Sequence, residues 1–531
     1  MTKIVQYFIA PLSGFVIALS SFSTLADTPT DAERLLNWAE LTYPDLFPQP
    51  QATQILDPWL YRYYPTTGIY AGINQADQGI YVLGGPWGGS PVYIESVSNM
   101  INFAFPSGSW LGALPVHEIS TATNSDDIRV AISSNGDAVV VWLENDPGLS
   151  IESVWAIHYN SVADAWGQAV LLDTGAQSAR NPRVAMDANG NAIVVWMQQL
   201  GIEFNATAAR YNAGTGWEQP VLLENENSAI NGGVPQIDIA MNNAGNAVAV
   251  WSQRTGVQSY TYANRYIAGQ GWSGAVSIDP DTAGQIDFSF NPKIAMDNSG
   301  NAIAVWSGPR VNRYSVASNA WEAVPQQIGA GIEADIAMGS NGDAILTTQV
   351  RGGLASQSRI TAWHFTPQSG WDTTGRILDE GRVEEAESIV QVAMDATGDA
   401  VAVWSQRDSG GVISAFANRF NAGTGWGGPT PIESNNEDIA SGINVTMDSS
   451  GNAYAIWRQY NPATFTSRNW TSTSNSAGQW QTAPFGVAVV DGALSTPRIV
   501  ANASGRAISA WVQMFEIDRD RHIFLMVNNR C

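Results

Sequence analysis

From about residue 128 onward the chain alternates short apolar runs with brief polar turns, and one phrase dominates. The run RVAM (183–186) passes through the polar turn DANGN (187–191) into a second apolar run, AIVVW (192–196). Apolar runs of this length, rich in β-branched residues and bounded by Gly, Asn and Asp, predict two strands joined as a hairpin. Aligned on its turn glycine, the phrase recurs at Gly136, Gly190, Gly245, Gly300, Gly342, Gly398, Gly451 and Gly505. The steps are 53 to 56 residues, apart from the 42 residues between Gly300 and Gly342. Seven of these glycines are followed six residues later by tryptophan: Trp142, Trp196, Trp251, Trp306, Trp404, Trp457 and Trp511. The fifth repeat carries Thr348 there.

Two further strands are predicted in each repeat. ATAARYNAGTGWEQPVLLE (206–224), YANRYIAGQGWSGAVSID (262–279) and FANRFNAGTGWGGPTPIE (416–433) each run to a basic residue and an aromatic, then a Gly-rich turn, then Trp and a β-like run. Four antiparallel strands per repeat, without helical periodicity, describe a propeller blade. The last repeat reaches its third strand at HIFLMVNNRC (522–531), and GSWLGALPVHEIS (108–120) carries the fourth-strand pattern ahead of the first repeat. The fold expected is therefore all-β: an eight-bladed β-propeller with N-terminal strand closure, which removes the open sheet edges. Tryptophan at one fixed strand position per blade is read as packing between blades.

Residues 1–26 read as a signal peptide, with Lys3 ahead of an apolar stretch and Thr24-Leu25-Ala26 as a small-residue cleavage site. Pro11, Ser13 and Gly14 interrupt that stretch, so cleavage is expected rather than anchoring, with no membrane insertion afterwards. Residues 27–105 form a small α+β module. TDAERLLNWAELTY (30–43) has capping-box spacing between Thr30 and Glu33 and ends at Pro44. The runs WLYRYYP (59–65), GIYAGI (68–73) and GIYVLGG (79–85) predict a β-meander. Together these segments resemble a module found in exported bacterial proteins, a resemblance that carries no assigned chemistry. Residues 106–531 are assigned to the propeller.

Composition narrows the function. The chain has 531 residues, 44% of them hydrophobic and 14% charged, so it can bury a large core. Acidic residues outnumber basic ones 48 to 25, a formal charge of -23 that repels phosphate backbones and excludes nucleic acid as a partner. Lysine occurs only at Lys3 and Lys293, and the single cysteine, Cys531, rules out intrachain disulfides and thiolate metal clusters.

Several repeated features are candidates for chemistry. The turns DANGN, DNSGN, DATGD and DSSGN gather Asp and Asn, but a calcium loop needs six to eight oxygens, often with a later bidentate carboxylate. Here an apolar strand follows at once, so the turn is read as structural and no metal is assigned. The basic series His158, Arg210, Arg265, Arg313, His364 and Arg419 is read as architecture, with an Arg–Asp contact to the turn. Glu118, Asp173, Glu224, Asp279, Asp379 and Glu433 close the fourth strands and open loops that vary in length, such as ENENSAINGGVP and DEGRVEEAES. Variable loops over a fixed scaffold are where propellers bind, so these acids are the candidate ligand-binding residues.

No catalytic residues and no cofactor are assigned. The four histidines lack metal-ligand spacing and no G-x-S-x-G occurs. Quinoprotein docking motifs place Trp four residues after Gly, and sialidase-type Asp boxes place an aromatic three after; here the interval is six. The phrase is similar to the VAVD-x-x-GN repeats of exported bacterial propellers of the NHL-like group, which implies a fold and no activity. The expectation is an exported, monomeric binding or adhesion protein, periplasmic or extracellular, with a carbohydrate or protein ligand on the variable-loop face. The alternatives are a secreted polysaccharide hydrolase or lyase using carboxylates, and a non-catalytic assembly platform.

Overall fold

The computed structural model describes residues 127–514 except 147–150, 164, 174–176, 225–235, 256–257, 281–289, 332, 351–358, 380–389, 408–409, 434–437, 463–465, 482–484 and 487–492. It also describes strands at 54–56, 59–64, 69–74, 79–83, 92–96, 114–119 and 521–528. The signal segment and the helix expected over 30–43 lie outside the described residues. Five strands, Gln54–Leu56, Trp59–Tyr64, Ile69–Asn74, Gly79–Leu83 and Val92–Ser96, pair antiparallel in chain order.

The repeats build an all-β propeller. Blades 1 to 7 cover residues 129–171, 179–222, 237–277, 293–327, 333–377, 391–431 and 439–486, each a contiguous antiparallel sheet. The expectation of eight such blades is corrected to seven. The eighth repeat makes no contiguous blade. Its strands Arg498–Ala501, Ala507–Met514 and Arg521–Asn528 join Leu114–Ile119 and Ala493–Leu494 in a composite sheet. Arg498–Ala501 packs beside Ile439–Met447 of blade 7 on one side and Arg129–Ile132 of blade 1 on the other.

The fourth strand also departs from expectation. In blade 3 it is two short pieces, Gly271–Trp272 and Val276–Ser277, both paired with Gln258–Ile267. The side chain of Asn264 interrupts the ladder, its Oδ1 accepting Gly274 N–H at 3.1 Å. Its Nδ2 donates to Leu223 O of blade 2 at 2.8 Å. Asn312 and Asn418 likewise reach back to Ile278 O and Leu378 O, so this asparagine ties blades 3, 4 and 6 each to the one before.

The DANGN turn is a clasp. Asp187 Oδ1 accepts Asn189 N–H at 2.8 Å and Asn191 N–H at 2.9 Å, and Oδ2 accepts Asn191 Nδ2 at 2.7 Å. Asn191 Oδ1 then accepts Ala213 N–H at the end of the third strand. Gly190 turns the chain at φ 84°, where a side chain is strained.

Each repeated tryptophan at the phrase's end is buried to within 1%. Trp196 packs on Val139, Val141 and Leu143 of blade 1, and Trp404 on Ile345, Ile360 and Leu378 of blade 5. Burial of about 200 Å² per tryptophan contributes on the order of 5 kcal/mol at most. In blade 5, where Thr348 fills the slot, Trp363 on the next strand packs against Ile303 and Val305 of blade 4.

The basic series links blades through rings. Arg210 lies over Tyr266 (5.8 Å), Arg265 over Tyr314 (4.1 Å) and Arg313 over Phe365 (5.3 Å), each in the following blade. His158 stacks on Tyr211 and His364 packs on Phe420. The expected contact to the turn carboxylate occurs at Arg419, 3.4 Å from Asp399. Blade 7 carries Ser474 where blades 1 to 6 offer a ring, and Arg419 reaches Gly451 O instead.

Candidate functional site

The innermost strands surround an open cavity of about 840 Å³. Seven residues before each turn glycine, every inner strand carries a polar side chain: Arg129, Arg183, Asp238, Lys293, Asp335, Gln391, Asn444 and Arg498. Each pairs with the residue five after its glycine, for example Arg183 with Val195 and Arg498 with Ala510. All eight therefore lie at one level of the ring, and all eight line the cavity. Strand alternation puts an apolar residue next to each, such as Ile294 or Val392, facing the sheet core. Arg129, Lys293, Gln391 and Arg498 are the first residues of their inner strands.

Three of the eight act as acceptors toward the following blade. Asp238 Oδ2 accepts Ile294 N–H at 3.1 Å, Asp335 Oδ2 accepts Val392 N–H at 2.9 Å, and Asn444 Oδ1 accepts Ile499 N–H at 2.9 Å. From Asp238 to Asn444 the acceptors alternate with Lys293 and with Gln391, whose amide both donates to Val390 O and accepts Asn444 Nδ2, at 3.4 Å each. From Arg498 through Arg129 to Arg183 the alternation breaks, and three guanidiniums stand on consecutive inner strands. Asp127 lies among them, with Oδ1 2.7 Å from Arg129 Nη2 and 3.3 Å from Arg183 Nη1. Arg129 and Arg183 also donate to the adjacent carbonyls of Ile128 and Pro182, and Arg183 Nε stands 4.0 Å from Asp238.

The electrostatics follow from burial and crowding. Burial, with Arg183 and Arg498 nearby, pulls Arg129 well below the ordinary arginine range. Burial opposes the charged form of Asp127, but Arg129, Arg183 and Arg498 outweigh it and hold the carboxyl below the usual range. Burial lowers Lys293, with Asp238 and Asp335 pulling the other way. Burial pushes Asp335 up to about 6, against the opposing pull of Lys293 and of the Val392 N–H.

The acids nominated from sequence lie elsewhere. Asp173 is 7% exposed and accepts Val154 N–H at 2.9 Å. Asp279 is buried and pairs with Arg310 at 3.2 Å; Asp379 is fully buried, 3.8 Å from Arg359. Glu433 accepts Gln459 Nε2 at 3.0 Å. Neither carboxylate oxygen of Glu224 has a hydrogen-bond partner among the described residues, and burial plus the nearby Glu203 pushes its pKa up to about 8. Glu118 lies on strand Leu114–Ile119, its side chain outside the described residues. Asp173, Glu224, Asp279, Asp379 and Glu433 follow the fourth strands of blades 1, 2, 3, 5 and 6 and are not among the residues lining the cavity. The channel ring was absent from the sequence reading, although one offset from each turn glycine collects it and it includes Lys293.

No family model and no curated protein matches the chain. Among solved structures, a polysaccharide lyase of family PL25, an ulvan lyase, is 11% identical with a TM-score of 0.44, covering 78% of this chain and 95% of its own. The Dos1 propeller is 8% identical, TM-score 0.43, covering 78% and 93%. The propeller domain of the Trilobed protease from Pyrococcus furiosus is 7% identical, TM-score 0.39, covering 69% and 97%. These are likenesses of fold.

Proposed function

We propose that this chain is an exported propeller that binds a polysaccharide or a surface protein at the channel mouth, on the face of the variable loops, without turning it over. In this reading the composite sheet, which includes Leu114–Ile119, lies between blades 7 and 1 beside the site. The observation that carries the reading is the convergence of eight polar side chains on an open cavity of about 840 Å³. Such a space is large enough for several sugar units and offers charged, amide and guanidinium groups to them. Retention is favoured over turnover because Asp238 and Asp335 already accept backbone N–H groups of the next blade.

The test is retention on a glycan array by the chain lacking residues 1–26, with assay for released reducing or unsaturated sugar ends. Binding without release supports the reading, and release overturns it in favour of a hydrolase or lyase. Loss of affinity in Lys293→Met, with affinity kept in Asp279→Asn, locates the ligand in the channel. The reverse result moves it to the fourth-strand acids.

A further inference from the structure

Resting on the channel-mouth reading, we propose that the ligand carries oxyanion groups, sulfate esters or carboxylates, and that one of them docks between the guanidiniums of Arg498, Arg129 and Arg183. Elsewhere on the ring Asp238, Asp335 and Asn444 each take a backbone N–H from the next blade. The arc sets three guanidiniums side by side, with Asp127 2.7 Å from Arg129 and 3.3 Å from Arg183, and Asp238 4.0 Å from Arg183.

Burial first, and then the like charges of Arg183 and Arg498, work against the charged form of Arg129. An anion in the arc favours that form. Guanidinium presents a planar fork of N–H donors matched to carboxylate and sulfate oxygens, which suits it to this role better than an ammonium. Asp127 displays the geometry from within the chain: one of its oxygens bridges two guanidiniums of neighbouring blades. It is an internal stand-in for part of the ligand and competes with it. On the far arc, Asp238 and Asp335 repel a second acid group while Gln391 and Asn444 offer amides to hydroxyls. The acid group of the ligand is thereby confined to one side of the mouth. In a chain of formal charge -23 this local excess of cations also counters the general repulsion of polyanions.

The experiment titrates the chain lacking residues 1–26 with four polymers: a sulfated polysaccharide, its desulfated form, a polyuronate and its carboxyl-reduced form. An acidic polymer should bind at least tenfold more tightly than its neutralised partner, and the pair showing the difference identifies the group. Arg129→Gln should weaken acidic-polymer binding at least tenfold. Asp127→Asn should strengthen it several-fold, a gain that misfolding cannot mimic. Equal binding of acidic and neutralised polymers overturns the oxyanion assignment and leaves the channel-mouth reading standing. Weakening by Asp127→Asn to the extent of Arg129→Gln also overturns it, because the arc would then be a structural network. A thermal-shift arm compares sodium sulfate with sodium chloride at matched ionic strength. Sulfate-specific stabilisation lost in Arg129→Gln, with no polymer bound, overturns the polysaccharide reading and keeps the oxyanion site. No sulfate effect and no polymer binding overturns both.

Discussion

The guanidinium of Arg506 lies over the ring of Tyr159, 5.2 Å from its centroid, and donates a hydrogen bond to the phenol oxygen. The two residues stand 347 positions apart, in the last and first repeats. Alongside them, Asn502 Nδ2 donates to Ser134 O at 3.2 Å. Elsewhere the ring-stacking cation comes from the third strand; here it comes from the residue after the turn glycine. Arg506→Leu should destabilise the protein by about 1–3 kcal/mol, combining a cation–π contact and a charged hydrogen bond. Denaturant unfolding measures this, and an unchanged midpoint would remove the contact from the forces joining the two repeats.

Blade 5 replaces its missing tryptophan with Trp363, which is 5% exposed. A Cβ at Gly329 would stand 2.3 Å from Trp363 Cζ2, so the chain there requires glycine to make room for the indole. Trp363→Ala should cost about 3–5 kcal/mol, and Gly329→Ala about 1–3 kcal/mol by overpacking. If the double variant costs as much as the two single ones added together, the two positions are not coupled as described.

Asp187 accepts three donors within its own turn. Asp187→Ala leaves them without that acceptor, and a loss of about 1–3 kcal/mol is expected. The melting temperature should be the same in calcium and in chelator. A rise with calcium would mean that the turn carboxylates bind metal after all.

Glu224 makes stability depend on pH in a direction opposite to most acids. Its pKa is about 8 in the fold, above the ordinary carboxylate value, chiefly through burial and then through Glu203. Between the unfolded and folded values the unfolded chain has released this proton while the fold retains it. The contribution is therefore full below about pH 4.5 and is lost as pH rises through about 8. Glu224→Gln should leave the melting temperature almost unchanged at pH 4 and raise it at pH 8. Parallel profiles for the two proteins would contradict the placement of this carboxyl.

Much of the fold was legible because it rests on local rules repeated many times. The turn glycine, the Asp three residues before it and the Trp six after it each act on neighbours near in sequence or one blade away. The apolar runs between them can be strands and little else. The division of the fourth strand into two pieces in blades 1 to 6 was not legible, and neither were the carbonyls of another blade that Asn264, Asn312 and Asn418 reach. From sequence the acids at the fourth-strand ends read as ligand-binding candidates at the base of variable loops. In the fold Asp279 and Asp379 are buried beside arginines from elsewhere, a pairing that no spacing encodes.

The channel ring marks the limit of the sequence. Read alone, it established a repeated hairpin and a propeller, and it contained one polar residue at a fixed offset from every turn glycine. Each of those residues, by itself, is an ordinary polar position on a strand. Only the tertiary structure made them a set, because closure of the sheets around an axis brings side chains dozens to hundreds of residues apart to one level of one cavity. There Coulomb interactions act across the gap regardless of chain distance. The run Arg498, Arg129, Arg183 is consecutive in space and not in sequence, and the charge excess exists only in that order.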